Sequence, residues 1–152
     1  MPIAMFLMGR LRRTVVWSGL VLALPGLALA DPCKAIPDRG ALPAYLHKGS
    51  KFAGRVVYVG DGDSLCVAVG KGPANEVEVR LEDFYAPELH EPGGRKAKLA
   101  LQHIARGRRV TCIAGHRTYD RVTAACEFGG RGLGARLRAA GITEGGRGVR
   151  KR

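Results

Sequence analysis

Residues 52–81 read FAGRVVYV, GDGD, SLCVAV, GKGPAN and EVEVRL in succession. The first block, Phe52–Val59, is rich in β-branched and aromatic residues and predicts a strand. Gly60-Asp61-Gly62 is a turn signal. Ser64–Val69 predicts a second strand with Leu65, Val67 and Val69 on one face. Gly70–Asn75 is a loop. Glu76–Leu81 then alternates without a break, with Val77, Val79 and Leu81 on one side and Glu76, Glu78 and Arg80 on the other. That period of two is the mark of a half-buried strand.

Outward from this meander, Pro87 and Pro92-Gly93-Gly94 mark an irregular segment. Arg95–Arg106 predicts an amphipathic helix, because Ala97, Ala100, Leu101, Ile104 and Ala105 fall on one face, and Gly107 supplies its stop. Val110–Ala114 and Thr123–Phe128 predict two more strands joined by a polar loop. Gly132–Ala140 predicts a short helix ended by Gly141. Residues 31–50 hold three prolines and read as an extended lead-in. Residues 143–152 read as a basic disordered tail, with Val149 the one apolar side chain of 144–152. The order β-β-β-α-β-β-α implies a β-rich α+β fold. It is that of a five-stranded OB-type Greek-key barrel over residues 51–142, with a helix between strands 3 and 4 and a short C-terminal helix. Element order alone names no function.

Residues 1–30 read as a secretory signal peptide: Arg10, Arg12 and Arg13, then the uncharged run from Thr14 to Ala30, ending in the small-x-small sequence Ala28-Leu29-Ala30. Cleavage there places the mature protein in the periplasm or outside the cell, with no stable membrane insertion. The chain of 152 residues carries 25 basic and 13 acidic side chains. The leader accounts for three arginines and no acid, so the mature part keeps an excess of nine positive charges. The basicity therefore belongs to the domain and suits a polyanionic partner. Length and hydropathy exclude a multi-span membrane protein, and the 46% apolar content is that of a chain that folds.

All four cysteines, Cys33, Cys66, Cys112 and Cys126, follow the leader. An even number in an exported domain implies two disulfides, for which three connectivities exist. No C-x-x-C pair or His/Cys cluster argues for zinc. A regular hairpin between the last two strands is centred on residue 119 and sets Cys112 opposite Cys126. Cys66 alternates with Leu65 and Val67, so it points away from their face and can receive Cys33 from the lead-in. The expected map is Cys33–Cys66 and Cys112–Cys126.

Four short segments, in this order and spacing, resemble the staphylococcal-type nuclease (thermonuclease) family: Gly60-Asp61-Gly62-Asp63-Ser64-Leu65, Val79-Arg80-Leu81, Ala86-Pro87-Glu88 and Tyr119-Asp120-Arg121. The resemblance covers roughly residues 51–142. It implies an exported, metal-dependent nuclease, a monomer, that hydrolyses phosphodiester bonds of DNA or RNA with Ca²⁺. Such chemistry needs a carboxylate to activate water, a cation, and guanidinium groups for the charge that develops at phosphorus. Arginine suits the last task because its planar fork meets two phosphate oxygens and stays charged. By resemblance Asp63 is a Ca²⁺ ligand, with the Ala86 backbone carbonyl beside it. Glu88 orients or activates water, and Arg80 and Arg121 clamp the phosphate.

One position departs from the family pattern. Where a second metal-binding Asp is expected, three residues before the Glu, this chain has Tyr85, whose phenol is a poor Ca²⁺ ligand. Asp61 or Asp83 is then expected to compensate. The alternative function is a catalytically weakened barrel that binds nucleic acid or another polyanion without cleaving it. His90 and His116 suggest a lesser alternative, a transition-metal site with Glu88.

Overall fold

The computed structural model describes residues 30–35, 42–117 and 120–146. All of the expected leader (1–30) except Ala30, together with Tyr119 and the end of the expected tail at 147–152, lies outside the described residues. Six strands and two helices follow in order: β1 (Lys51–Val59), β2 (Ser64–Ala68), β3 (Glu76–Leu81), α1 (Gly94–Ala105), β4 (Arg109–Arg117), β5 (Val122–Phe128), β6 (Arg131–Gly132) and α2 (Leu133–Ala139). Single 3₁₀ turns occupy Pro32–Lys34 and Pro73–Asn75.

The sheet order is β3-β2-β1-β4-β5-β6, and an additional β3–β5 pairing closes the first five strands into a barrel. All neighbouring pairs are antiparallel except β3–β5, which is parallel. This is the expected OB-type barrel, with α1 between strands 3 and 4 and a short helix after the last long strand.

Alternation explains which side chains fill the barrel. In β3, Val77, Val79 and Leu81 are buried between half-exposed Glu76, Glu78 and Arg80. In β1, Phe52, Gly54 and Val56 point inward, and a bulge between Val56 and Tyr58 then shifts the phase so that Val59 points inward next. The extra residue turns the strand from β4, which it pairs through 51–55, to β2, which it pairs through 55–59. Gly54 stands at that changeover. A Cβ on it would lie 2.3 Å from the Ala68 carbonyl oxygen, so only glycine lets the two backbones approach.

Helix α1 covers the barrel with Ala97, Leu101 and Ala105, all fully buried, while Ala100 and Ile104 pack at the edge. It stops where expected. Arg106 leaves the helical conformation, and Gly107, at φ 78°, turns back to donate its N–H to the Val56 carbonyl at 2.8 Å. Deleting the Leu101 side chain to Ala in such a core typically costs about 2–5 kcal/mol.

Both disulfides have the expected connectivity. Cys112 and Cys126 are direct register partners on β4 and β5, their Cα atoms 4.1 Å apart and both side chains in the core. The register from Thr111↔Glu127 to Ala114↔Ala124 is centred on residue 119, and it shifts only beyond Ala114. Cys66 is buried although it faces away from the barrel interior, because Cys33 and its 3₁₀ turn cover it. Two such bonds point to oxidising surroundings, where disulfides persist. Among the described residues no helix is long and apolar enough to cross a membrane.

The lead-in is fastened at a second point. Lys34 Nζ lies 2.5 Å from Glu78 Oε2 on β3 and 3.1 Å from Asp120 Oδ2, just before β5. At the other terminus the first residues of the expected tail pack down. The Gly145 N–H donates to the Tyr85 carbonyl at 3.1 Å, and Glu144 Oε1 meets the Arg138 guanidinium at 2.7 Å.

Candidate functional site

The Gly60–Asp63 turn begins the site. Asp61 Oδ1 accepts the Asp63 N–H at 3.0 Å, an Asx turn that fixes the backbone before β2. Gly62 between them is wedged: a Cβ there would lie 2.4 Å from the Ala86 Cβ and 2.5 Å from the Ala97 Cβ. The turn thus touches both the loop after β3 and the face of α1. Any larger residue would force the three apart.

Asp63 is 2% exposed, one of two buried polar residues among the described residues. Its Oδ2 accepts the Ala86 N–H at 2.9 Å and faces Arg80 Nη2 at 3.1 Å. The Asp63 carbonyl accepts the Leu81 N–H at 2.8 Å, so the backbone at Asp63 is locked to the end of β3. Burial pushes the Asp63 carboxyl up to about 7, and the neighbouring Asp61 charge pushes the same way; the Ala86 N–H and Arg80 pull against them. Desolvation outweighs the attraction here because the Arg80 side chain remains 22% exposed and shares its field with solvent.

Arg80 is flanked by Ser64 on β2 and by Thr123 on β5, its register partners. Because β3 and β5 run parallel, Arg121, two residues before Thr123, sits level with Glu78. Strand spacing and rise then set the Arg80 and Arg121 Cα atoms about 8 Å apart. The barrel closure thereby brings together two arginines 41 positions apart in sequence. Arg121 is half-buried beside Asp120, whose carboxyl is held below its usual value chiefly by the hydrogen bond from Lys34.

Glu88 is half-buried, two residues beyond Ala86, and chain geometry keeps its Cα within about 7 Å of the Ala86 Cα. Its backbone N–H donates to Glu91 Oε2 at 2.9 Å, and its carbonyl accepts the Glu91 N–H at 2.8 Å. This tight turn leads into α1, whose second contact is Gly94: a Cβ there would sit 1.9 Å from the Glu88 carbonyl oxygen. Sequence reasoning placed Glu88 near the site; the turn shows what holds it there.

Asp83 is drawn elsewhere. Its Oδ2 accepts the Gly134 N–H at 3.2 Å, in the first turn of α2, and its carbonyl accepts from Arg138 at 2.5 Å. Burial raises its carboxyl above the usual range. Its Oδ1 is buried without a hydrogen-bond partner. The Asp83 carboxylate serves the start of α2, whereas Asp63 faces Ala86 and Arg80, so the expectation that Asp83 could complete a metal site beside Asp63 finds no support in this geometry. The signal in sequence is faint: Gly134 alone hints that something approaches closely.

Tyr85 is half-buried, and its backbone is pinned on both sides, its N–H to Glu144 Oε1 at 3.3 Å and its carbonyl to Gly145. The Ala86 carbonyl lies against Gly146, where a Cβ would come within 2.0 Å of the oxygen. A cleft of about 360 Å³ opens between this C-terminal segment and the loop, lined by Pro87, Glu91, Lys96, Ile142 and Glu144 among others.

Ca²⁺ takes six to eight oxygen ligands, usually with several carboxylates among them. Here Asp61 and Asp63 supply two carboxylates on one turn, and their mutual repulsion is the kind a cation relieves. Among the described residues the sole set of three close potential ligands is Asp31, Cys33 and Cys66, and its sulfurs are joined as a disulfide. Asp61 and Asp63 belong to no such set among the described residues. His90 lies in the exposed turn before α1 and His116 at the exposed end of β4. Neither joins a ligand cluster among the described residues.

Sequence reasoning missed Thr123. Its Oγ1 accepts the His116 N–H at 2.8 Å and holds the irregular end of β4 next to Arg80's strand. Gly115 permits this, since a Cβ there would lie 2.4 Å from Glu82 Oε2 and 2.7 Å from Thr123 Oγ1. No known family model matches this chain, and no curated protein matches it.

Proposed function

We propose that this protein is an exported phosphodiesterase that cleaves nucleic acid at the Asp63–Arg80 end of its barrel. The observation that carries the reading is the buried Asp63 carboxylate joined to Arg80, with the loop bearing Glu88 bonded to the same oxygen through Ala86. A guanidinium at the rim of a buried acid suits the charge that grows on a phosphodiester under attack. Glu88 is the base or water-orienting group, and Arg121, across the β3–β5 pairing, is the second cation. A divalent ion such as Ca²⁺ would be held by Asp61 and Asp63 and would neutralise the phosphate. The two disulfides and the uncharged run before Ala30 support a secreted or periplasmic location, with the leader removed and the domain acting as a monomer.

A second reading is favoured by one observation: Tyr85 stands where a further carboxylate is expected, and Asp61 and Asp63 belong to no three-ligand set among the described residues. In that case the barrel binds nucleic acid without cutting it. Incubating the protein with plasmid DNA and with RNA, in Ca²⁺, Mg²⁺, Mn²⁺ or EDTA, decides between them. Cleavage in one metal and not in EDTA is expected. Inertness with every metal would leave the binding reading.

A further inference from the structure

On the β4–β5 side of the barrel, around Phe128, stands a cluster of arginines. Arg55 and Arg109 are register partners on β1 and β4, and Arg55 Nη1 donates to the Gly107 carbonyl at 2.6 Å. Arg106 and Arg108 flank that carbonyl in the exposed turn between α1 and β4. Arg136 of α2 lies with its guanidinium 3.9 Å from the centre of the Phe128 ring, and Arg108 approaches the same ring at 5.9 Å. Arg136 also donates to the carbonyls of Phe128 and of Arg131, the sixth member.

The hydrogen bonds of these side chains go to backbone carbonyls. Among the described residues none of the six forms an ion pair, and Glu127, beside Phe128 on β5, forms none with them. By contrast Arg80 and Arg138 each have a carboxylate. Six like charges held together with no carboxylate partner raise the local potential and favour an anion from outside. Stacking on Phe128 and bonds to carbonyls restrict the guanidinium planes, so less freedom is lost when they bind phosphate. A lipid surface is the poorer match, because amphipathic membrane binding needs apolar side chains beside the basic ones. Among the described residues the exposed large apolar side chains, Tyr45, Leu89, Leu99 and Ile113, all lie outside the cluster.

We infer that this arginine cluster is a second nucleic-acid surface, which binds the phosphate backbone of a strand without regard to sequence and at a distance from the Asp63–Arg80 site. The inference deepens the proposed function and rests on its substrate class. Phe128 lies five strand steps beyond Thr123, which is beside Arg80, a distance of about 17 Å. A nucleic-acid strand held at both sites would therefore have to be several nucleotides long, and short substrates would engage the Asp63–Arg80 site alone.

The test is binding of a fluorescein-labelled 20-nucleotide single-stranded DNA in EDTA, titrated with NaCl. The variant replaces Arg106, Arg108 and Arg109 by Gln. The control replaces Lys48, Lys51 and Lys71 by Gln, which removes the same charge elsewhere. The cluster variant is expected to lose about 2 in the slope of log affinity against log salt, about 0.7 for each phosphate contact on a single strand, and the control much less. Equal losses in both variants, an unchanged slope, or no DNA binding by the wild type would overturn the inference. So would loss of binding to phosphatidylglycerol vesicles with DNA binding intact, which would assign the surface to a membrane. A protein that binds in EDTA but cleaves with no metal would sink the phosphodiesterase reading and leave this surface standing.

Discussion

Two regions of the barrel treat charge in opposite ways. Along β3, from Asp63 to Glu78, charges are matched and partly buried: Arg80 meets Asp63, and Lys34 meets both Glu78 and Asp120. That region is also strapped from both termini, by the Cys33–Cys66 bond and by the Glu144–Gly146 segment. Around Phe128 the arginines are held by an aromatic face and by carbonyls, with their charge uncompensated. Fixing a few groups against one another is what chemistry at one atom requires. Leaving many like charges unpaired is what capture of a long polyanion requires. If the proposed function holds, substitutions in the first region should change rate, and those in the second should change affinity and its salt dependence.

The largest effect is expected for Glu88→Gln and Arg80→Lys. Removing a base or a charge-stabilising donor typically lowers the rate by about 10²–10⁴. Single-turnover cleavage of a labelled oligonucleotide measures it, with circular dichroism to verify the fold. Near-wild-type rates in both variants would show that the site is misplaced. Lysine at position 80 keeps a cation beside Asp63, so a folding defect is less of a confounder than with alanine.

Next comes the strap. Replacing Cys33 and Cys66 by Ala should lower stability by about 4 kcal/mol in the chain-entropy model. Replacing Cys112 and Cys126, whose loop spans a sequence separation of 14 against 33, should cost about 3 kcal/mol from loop entropy alone. Urea unfolding of the two double variants gives the comparison. Loss of Cys33–Cys66 should also unseat Lys34 and reduce activity in the folded protein, an effect that the other pair should not share.

A smaller change is expected from acid. Asp63 has a folded value near 7 against an ordinary carboxylate value of 3.8, so the folded state binds its proton more tightly than the unfolded state does. The sign follows: this group favours folding below about pH 4, and that contribution is lost as pH rises towards 7. Measured in EDTA, the wild type should gain stability relative to Asp63→Asn on acidification from pH 7 to pH 4, by at most about 1.4 kcal/mol per pH unit. A stability difference that stays constant across this window would mean that Asp63 remains charged through it.

The smallest and most specific effect concerns Tyr85→Asp. One more anionic oxygen near Asp61 and Asp63 should tighten Ca²⁺ binding. Isothermal titration of the two proteins tests this. An unchanged titration would show that the backbone pinned between Glu144 and Gly145 keeps position 85 away from the cation.

Much of the architecture was legible because it rests on local periodicity. The alternation of Val77, Val79 and Leu81 needs no tertiary information, and neither does the stripe from Ala97 to Ala105. The hairpin midpoint gave the Cys112–Cys126 register because the two strands are regular up to Ala114. Reading stopped where partners are remote or the backbone does the bonding. β4 runs on to Arg117 through Gly115 and His116, which carry no apolar pattern and are held by Thr123. Asp83 is claimed by Gly134, 51 residues away. Gly145 and Gly146 offer no side chain for a pattern to detect, yet they approach Tyr85 and Ala86. The arginine cluster was visible as net charge only, since its members come from four separate segments.

The one parallel pairing of the barrel, between β3 and β5, has a consequence for proteins caught part-way through folding. Val79 and Val122, 43 positions apart in sequence, meet in a contact that closes a long loop. Arg80 gains Thr123 and Arg121 as neighbours through that contact alone. An open barrel can keep its β1–β2–β3 meander, its Asp63 turn and its Phe128 arginines, but it has no arginine pair. If the proposed function holds, capability for chemistry is switched on by topological closure, and a newly made chain can hold a polyanion before it has the means to cut one.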